Sequence, residues 1–144
     1  MRRGWRHIVK LLAMLWASPN SALGLAWGIA VRLTGGTWAW VDGALEVQGR
    51  GVGWLFDRVA PKRSIAAITL GHVVLARSTR DLTRTRRHER VHVAQYERWG
   101  PLFIPAYLVS SFRAWRRGFD AYRDNAFEVE AYAVDDCQST LDES

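Results

Sequence analysis

The chain has 144 residues, 49% of them hydrophobic and 24% charged, with a net charge of +6 and a single cysteine. This composition is typical of one ordinary globular domain and excludes disordered, collagen-like and coiled-coil proteins. A single cysteine excludes an internal disulfide and a zinc site built from several cysteines. The basic residues are mostly scattered and accompany no nucleic-acid-binding motif, so a nucleic-acid partner is not favoured.

The first 35 residues begin with a basic stretch and are then mainly apolar from Ile8 to Val31, with a break at Ser18-Pro19-Asn20. A bilayer span needs roughly 20 residues, and the break divides this one into two short halves. Four interpretations stay open: a signal peptide, one kinked transmembrane helix, two interfacial segments, or an apolar helix covering the core. We expect residues 1–35 to contact a membrane, at the bacterial inner membrane or after export, with the side undetermined.

The region that follows predicts short strands. Thr37–Gln48 is typical of a hairpin, because β-prone residues flank an Asp-Gly turn. Two further strands are expected at Ile65–Leu70 and Val73–Leu75, with a single helical turn at Trp54–Val59 before them. We expect the strands to be antiparallel.

Three helices are predicted in the second half of the chain. The first covers Thr79–Trp99, with a capping residue at Ser78 and a Gly-Pro stop after Trp99. The second covers Leu102–Trp115, and the third Asp120–Asp136.

These elements predict an α+β fold that is mainly helical. Its short antiparallel strands would pack on the first of the three helices and on the two that follow it. The expected organisation is an N-terminal segment (1–35), one domain (36–136) and a disordered acidic tail (137–144).

The first predicted helix contains an HExxH motif, His88-Glu89-Arg90-Val91-His92. Residues four apart stand on one helix face, so both imidazoles can bind a single Zn²⁺. Glu89 lies at the flank of that face, where its carboxylate can accept a proton from an attacking water. We therefore expect one Zn²⁺ per chain, His88 and His92 as ligands and Glu89 as general base. The alternative is a solvated helix face.

A third protein ligand is required, and no histidine follows His92 in the sequence. The third helix offers Glu128 and Glu130, which point about 200° apart, so only one of them can face the metal. Glu128 lies next to the apolar face of this helix. Glu130 is the alternative ligand, and both could also be solvated charges.

The segments HERVHVAQYERWGP and DAYRDNAFEVEAYA together resemble zincin-like metallopeptidase domains of the gluzincin type, especially small bacterial ones of uncharacterised function. They are more distantly similar to the membrane-embedded group that includes the CAAX prenyl endopeptidases. The resemblance covers about Ile65 to Ala133. It implies that the HExxH residues bind and use zinc to hydrolyse peptide bonds, and its register selects Glu128 as the third ligand. Tyr132 replaces an aspartate of that group, so a hydrogen bond that usually orients a ligating histidine is not expected.

Other residues are candidates for support or substrate contact. Gln95 can satisfy a buried ligand, Tyr96 can donate to an oxyanion, and Tyr132 and His72 can approach the site. In zincins that the chain resembles, a strand aligns an extended substrate, and Val73–Leu75 is the candidate here.

The leading expectation is a membrane-associated zinc metallopeptidase acting on a peptide or protein. Two alternatives stay open: a non-catalytic zinc-binding or scaffold protein with the same fold, and a small basic membrane-surface protein whose histidines are incidental.

Overall fold

The computed structural model describes residues 2–59 and 65–142, which form helices around a small four-stranded sheet. The α+β, mainly helical class expected from the sequence is confirmed. In chain order the elements are α1 (Arg2–Trp16), α2 (Ser18–Leu33), β1 (Thr37–Val41), β2 (Ala44–Gln48), α3 (Arg50–Val59), β3 (Ala67–Leu70), β4 (Val73–Ala76), α4 (Thr79–Trp99), a 3₁₀ turn (Gly100–Leu102), α5 (Phe103–Arg116) and α6 (Ala126–Asp142).

The sheet has the strand order β1-β2-β4-β3. The predicted hairpin is confirmed: β1 and β2 are antiparallel with Thr37 opposite Gln48. Asp42 and Gly43 both have positive φ, as a two-residue hairpin turn of type I′ requires. The expectation of antiparallel strands throughout is wrong, because β2 and β4 pair in parallel. A parallel pair needs a crossover connection, and α3 lies in it.

Successive side chains of the central strand β4 pack alternately into two hydrophobic cores. Val73 and Leu75 face a core shared with α2 and α3, whereas Val74 and Ala76 face a core shared with α4. All four residues are buried. The sheet is therefore covered by α2 and α3 on one face and by α4 on the other, which places α4 directly against the strands.

The N-terminal helices meet at a sharp bend. Among the described residues no single helix is long and apolar enough to cross a bilayer, but His7–Trp16 and Ser18–Leu33 qualify as a pair bent by 69°. Asn20 holds the bend against the domain, donating a hydrogen bond of 2.9 Å from Nδ2 to the Gly100 carbonyl. The middle of α2 approaches the sheet closely at Gly24, where an added Cβ would lie 2.7 Å from the Cβ of Val73.

The predicted bounds of α4 are confirmed at both ends. Ser78 Oγ accepts a hydrogen bond from the Asp81 N–H, and Gly100, at φ 54°, ends the helix. By contrast, the single turn predicted at Trp54–Val59 is part of a ten-residue helix that starts at Arg50. Burial of residues in the earlier part of α3 offsets the helix-weakening effect of its two glycines.

The last helix differs from its predicted bounds. Asp120 Oδ1 accepts hydrogen bonds from the backbone of Tyr122 and Arg123, which forms a turn instead of a first helical turn. Asn125 Oδ1 accepts the Phe127 N–H, so α6 begins at Ala126. The helix then continues to Asp142, so residues 137–142 are helical where a disordered tail was expected. No glycine or proline interrupts this stretch.

Candidate metal centre

The two histidines of the HExxH motif lie on the inner face of α4. His88 and His92 are both buried, at 6% and 7% exposure, and their Nε2 atoms are 3.1 Å apart. The i, i+4 spacing brings the rings together, and the packing of α4 against the sheet and α6 turns them inward.

Glu128, in the first turn of α6, meets both rings. Its Oε2 lies 3.1 Å from His88 Nε2, and its Oε1 lies 3.4 Å from His92 Nε2. The three residues are buried, and their donor atoms all lie within 4.8 Å of one another. A tetrahedral Zn²⁺ with ligand bonds of ~2.0–2.1 Å separates its ligand atoms by about 3.3 Å. The donor set therefore fits a zinc ion.

Asn125 positions the residue that completes this set. Besides capping α6, it donates from Nδ2 to the Tyr107 carbonyl and to Ser111 Oγ, and it is fully buried. These bonds fix the start of α6 on α5, one turn before Glu128. The sequence carried a signal for this role, because Asn is a favoured capping residue, but the helix was expected to begin at Asp120.

Gln95 determines which ring nitrogen of a neutral His92 carries the proton. Its Nε2 donates to the Phe127 carbonyl and to Glu130, so its Oε1 faces His92 Nδ1 at 2.8 Å as an acceptor. The proton of a neutral His92 then resides on Nδ1, which leaves a lone pair on Nε2, the atom that faces the other two donors. Gln95 thus contacts a buried histidine of the donor set, in agreement with the supporting role expected for it.

Tyr107 of α5 supports Glu128 from the other side. Its hydroxyl donates to Glu128 Oε1 at 2.7 Å. Burial alone would raise the pKa of Glu128, but its interactions with the two histidines and the hydrogen bond from Tyr107 outweigh burial and lower the pKa to about 2. For His92, burial favours a lower pKa, yet contacts with Glu128 and Glu89 raise it overall. The cluster therefore holds an ionised carboxylate among the imidazoles.

Glu89 is held apart from the three donors by the sheet. Thr69 on β3 donates from Oγ1 to Glu89 Oε2 at 2.7 Å, and both residues are buried. Burial raises the pKa of Glu89, against the opposing effects of His92 and the Thr69 bond. A raised pKa suits a group that must both accept and return a proton. No pattern in the sequence pointed to Thr69.

A cavity of about 560 Å³ opens onto this cluster. Glu89, His92 and Glu128 are among its lining residues. Its walls are mostly apolar and come from the β3 region and α5: Ile65, Ile68, Leu70, Phe103, Ile104 and Leu108. Glu89, His92 and Glu128 thus line a cavity whose walls are mostly apolar.

The remaining candidates lie at varied distances from the donors. Tyr96 lines the cavity, packs on Phe103, and has a pKa raised by burial. The Tyr132 ring packs on His88, with centroids 4.7 Å apart.

Glu130 is directed to Gln95 and Arg98 and does not join the donor set. His72 bonds to Glu97 at 2.9 Å and to Ser21, so it contacts α2 and α4 and does not join the three donors.

The strand expected to align a substrate is not available for it. The segment Val73–Leu75 lies in β4, which is paired with β2 on one side and β3 on the other. The edge position belongs to β3, and residues of β3 line the cavity.

Comparisons with known proteins add nothing to this geometry. No protein-family model, curated protein or solved structure matches the chain significantly.

Proposed function

We propose that this protein is a zinc-dependent peptidase. The observation that carries the proposal is the convergence of three buried metal-ligand side chains, His88, His92 and Glu128, whose donor atoms lie within 4.8 Å of one another. The carboxylate of Glu89 lies beside them, is hydrogen-bonded to Thr69 and is not part of the donor set. The resemblance of the HExxH and FEVEAY segments to gluzincin-type domains supports the same assignment.

The donor set fits one Zn²⁺, with His88, His92 and Glu128 as the ligands. Zinc bound by three protein ligands acts as a Lewis acid toward water and the substrate carbonyl. Gln95 and Tyr107 hold two of the ligands in the orientation required, one through His92 Nδ1 and the other through Glu128 Oε1.

Glu89 supplies the proton transfer. Its Oε2 accepts the Thr69 hydrogen bond, which leaves the other oxygen to take a proton from the attacking water. The same carboxyl then returns that proton to the leaving amine. The cavity walls beside Glu89 are mostly apolar.

An extended peptide is the substrate that the surroundings accommodate best. The strand β3 is paired on one side only within the described sheet, so its other edge can form backbone hydrogen bonds with a peptide. The apolar walls favour a substrate with an aliphatic or aromatic side chain near the scissile bond.

Membrane contact through residues 1–35 is part of the proposal. The described side chains of α1 and α2 include a set of exposed large apolar residues: Ile8, Leu11, Leu12, Leu15, Leu23 and Leu33. Such exposure is unusual for a protein surface in water. Membrane fractionation of the full chain, compared with a chain lacking residues 1–35, tests this contact.

Metal analysis and one conservative variant test the enzymatic proposal. The purified chain should contain one zinc, His88→Ala should lose it, and Glu89→Gln should keep it while abolishing cleavage of a peptide library analysed by mass spectrometry. A chain without zinc contradicts the metal site. Zinc binding with cleavage unaffected by Glu89→Gln contradicts the role of Glu89.

A non-catalytic zinc-binding protein is the second candidate. The observation that favours it is Tyr132, whose ring packs on His88 where the resembled group has an aspartate. In this case zinc would be bound, His88→Ala would release it, and no peptide of the library would be cleaved by the unaltered chain.

A further inference from the structure

An exposed apolar ridge runs along α5 and includes a residue just beyond each end of the helix. Its members are all between 54% and 64% exposed: Leu102, Leu108, Phe112, Trp115 and Phe119. Leu108, Phe112 and Trp115 are spaced by four and three residues and stand on one side of α5, whereas Leu102 lies in the 3₁₀ turn before the helix and Phe119 follows its last residue, Arg116. Isolated apolar residues on a surface are ordinary, but a continuous ridge of this size marks an interaction surface.

Three arginines accompany the ridge at the C-terminal end of α5. Arg113, Arg116 and Arg117 are exposed, and among the described residues none of them has a carboxylate partner. Elsewhere in the described structure, Arg86 bonds to Glu46 and Arg98 to Glu130. A cluster of three unpaired guanidinium groups beside exposed aromatic rings is suited to an anionic surface that also accepts apolar groups.

An open groove of about 980 Å³ lies beside the ridge, between α5 and α6. It combines apolar residues such as Val109 and Val129 with Arg113 and Arg117, and Asp124 is its one carboxylate. Neither Glu89 nor any of the three donors lines this groove, so it is separate from the candidate metal centre. Guanidinium groups next to an apolar floor match the chemistry of a phospholipid, which joins a phosphate to acyl chains.

We propose that the outer face of α5 docks on an anionic lipid bilayer, with Phe112 and Trp115 entering the interface and the three arginines contacting lipid phosphates. Tryptophan, phenylalanine and arginine together are the composition of interfacial helices. The start of α5 also adjoins the bend between α1 and α2, through the bond from Asn20 to Gly100. The ridge can therefore act together with the apolar N-terminal helices.

A second copy of the chain is a less suitable occupant. The chain carries a net charge of +6, and an interface built on this face would bring two arginine clusters toward each other without acidic partners among the described residues of α5. Anionic headgroups supply the opposite charge. This proposal does not depend on the metal site, so it stands or fails separately from the peptidase function.

A fluorophore at the ridge tests the proposal in the full-length chain. In a Cys137→Ser background, Phe112→Cys is labelled with nitrobenzoxadiazole, and Thr83→Cys, exposed on α4, is the matched control. Circular dichroism checks that both variants are folded. With vesicles of phosphatidylcholine and phosphatidylglycerol, the label at 112 should shift to the blue and gain intensity, whereas the label at 83 should not.

Paired charge variants test the arginines. Arg116→Gln should weaken binding to the anionic vesicles about fivefold, whereas Arg80→Gln, an equal charge change on exposed α4, should leave it nearly unchanged. A water-exposed label at 112 on a chain that sediments with vesicles would overturn the proposal, as would no vesicle binding at all. If the label is buried in the absence of vesicles and sedimentation gives twice the mass of one chain, a second copy covers the ridge. This result would equally overturn the proposal.

Discussion

Thr69 on the edge strand and Glu89 on the HExxH helix are joined by a hydrogen bond of 2.7 Å, and both side chains are buried. The bond fixes one carboxylate oxygen of Glu89 against the sheet and leaves the other free. Under the proposed function, β3 would both pair with an extended substrate and hold the general base, so the substrate and the base would be positioned by the same strand.

Thr69→Val should separate positioning from metal binding. The variant keeps the shape of the side chain but leaves a buried carboxylate without its donor, which should cost about 2 kcal/mol in the free energy of unfolding. Peptide cleavage should fall on the order of tenfold because Glu89 is no longer held. Zinc content should not change. Thr69→Ser restores the donor and should recover most of the activity; if the Val and Ser variants lose activity equally, the hydrogen bond has no catalytic role.

Glu128 and Glu130 provide a matched pair for the third ligand. Glu128→Gln replaces a buried carboxylate that contacts both histidines, so zinc affinity should fall at least on the order of a hundredfold. Glu130 contacts only Gln95 and Arg98 in the described structure, and Glu130→Gln should change the affinity by less than about tenfold. Competition with a chelator measures both. The reverse order of affinities would identify Glu130 as the ligand.

Tyr107 and Tyr96 line the same cavity but have different partners. Tyr107→Phe removes the donor to Glu128 Oε1 and should weaken zinc binding about tenfold. Tyr96→Phe removes a hydroxyl from the same cavity and should leave zinc affinity unchanged. Equal affinities of the two variants in the chelator assay would show that the Tyr107 bond does not support the ligand. A lower kcat for Tyr96→Phe with full zinc content would assign Tyr96 to the transition state.

Local signals in the sequence predict much of this fold. The bounds of α4 follow from a capping serine before it and Gly100 after it, and the hairpin follows from an Asp-Gly turn whose residues tolerate positive φ. These signals act within four residues. Where two capping residues compete, as Asp120 and Asn125 do before α6, the sequence alone does not decide, because side-chain contacts of Asn125 with α5 select the later start.

Long-range contacts account for what the sequence does not predict. The parallel pairing of β2 with β4 depends on the packing of α3 against the sheet, so it cannot be predicted from the spacing of residues along the chain. The same holds for the bond from Thr69 to Glu89, 20 residues apart, and from Tyr107 to Glu128, 21 apart. The helix of the HExxH motif is locally encoded, whereas the residues that orient its side chains are supplied by the tertiary fold.

Glu46 gives a pH dependence of stability that is independent of the candidate metal centre. Its carboxylate is buried on β2; burial would raise its pKa, but bonds from Arg86 and Arg90 outweigh this and lower it. A carboxyl with a lowered folded-state pKa adds stability above its unfolded pKa, and this is lost as the pH falls through the folded value. Glu46→Gln should therefore cost about 3 kcal/mol at neutral pH and less in acid, measured by denaturant unfolding.

The control for Glu46 is an exposed ion pair of the same type. Asp57 bonds to Arg77 at 2.7 Å but is 68% exposed, so Asp57→Asn should change the free energy of unfolding by less than about 1 kcal/mol at any pH. A Glu46→Gln effect that is the same at neutral and acidic pH would show that the carboxylate charge does not stabilise the fold.

Gly100 and Gly118 both have positive φ, at 54° and 82°, but only one of them is crowded. A Cβ at Gly100 would overlap the indole of Trp16, whereas a Cβ at Gly118 would meet nothing within 4 Å. Gly118→Ala should cost about 1 kcal/mol of unfolding free energy from backbone strain alone. Gly100→Ala should cost about 2 kcal/mol more, because Trp16 and the bend between α1 and α2 must move. Urea denaturation measures the difference, and equal costs for the two variants would mean that the N-terminal helices do not pack on the 3₁₀ turn in solution.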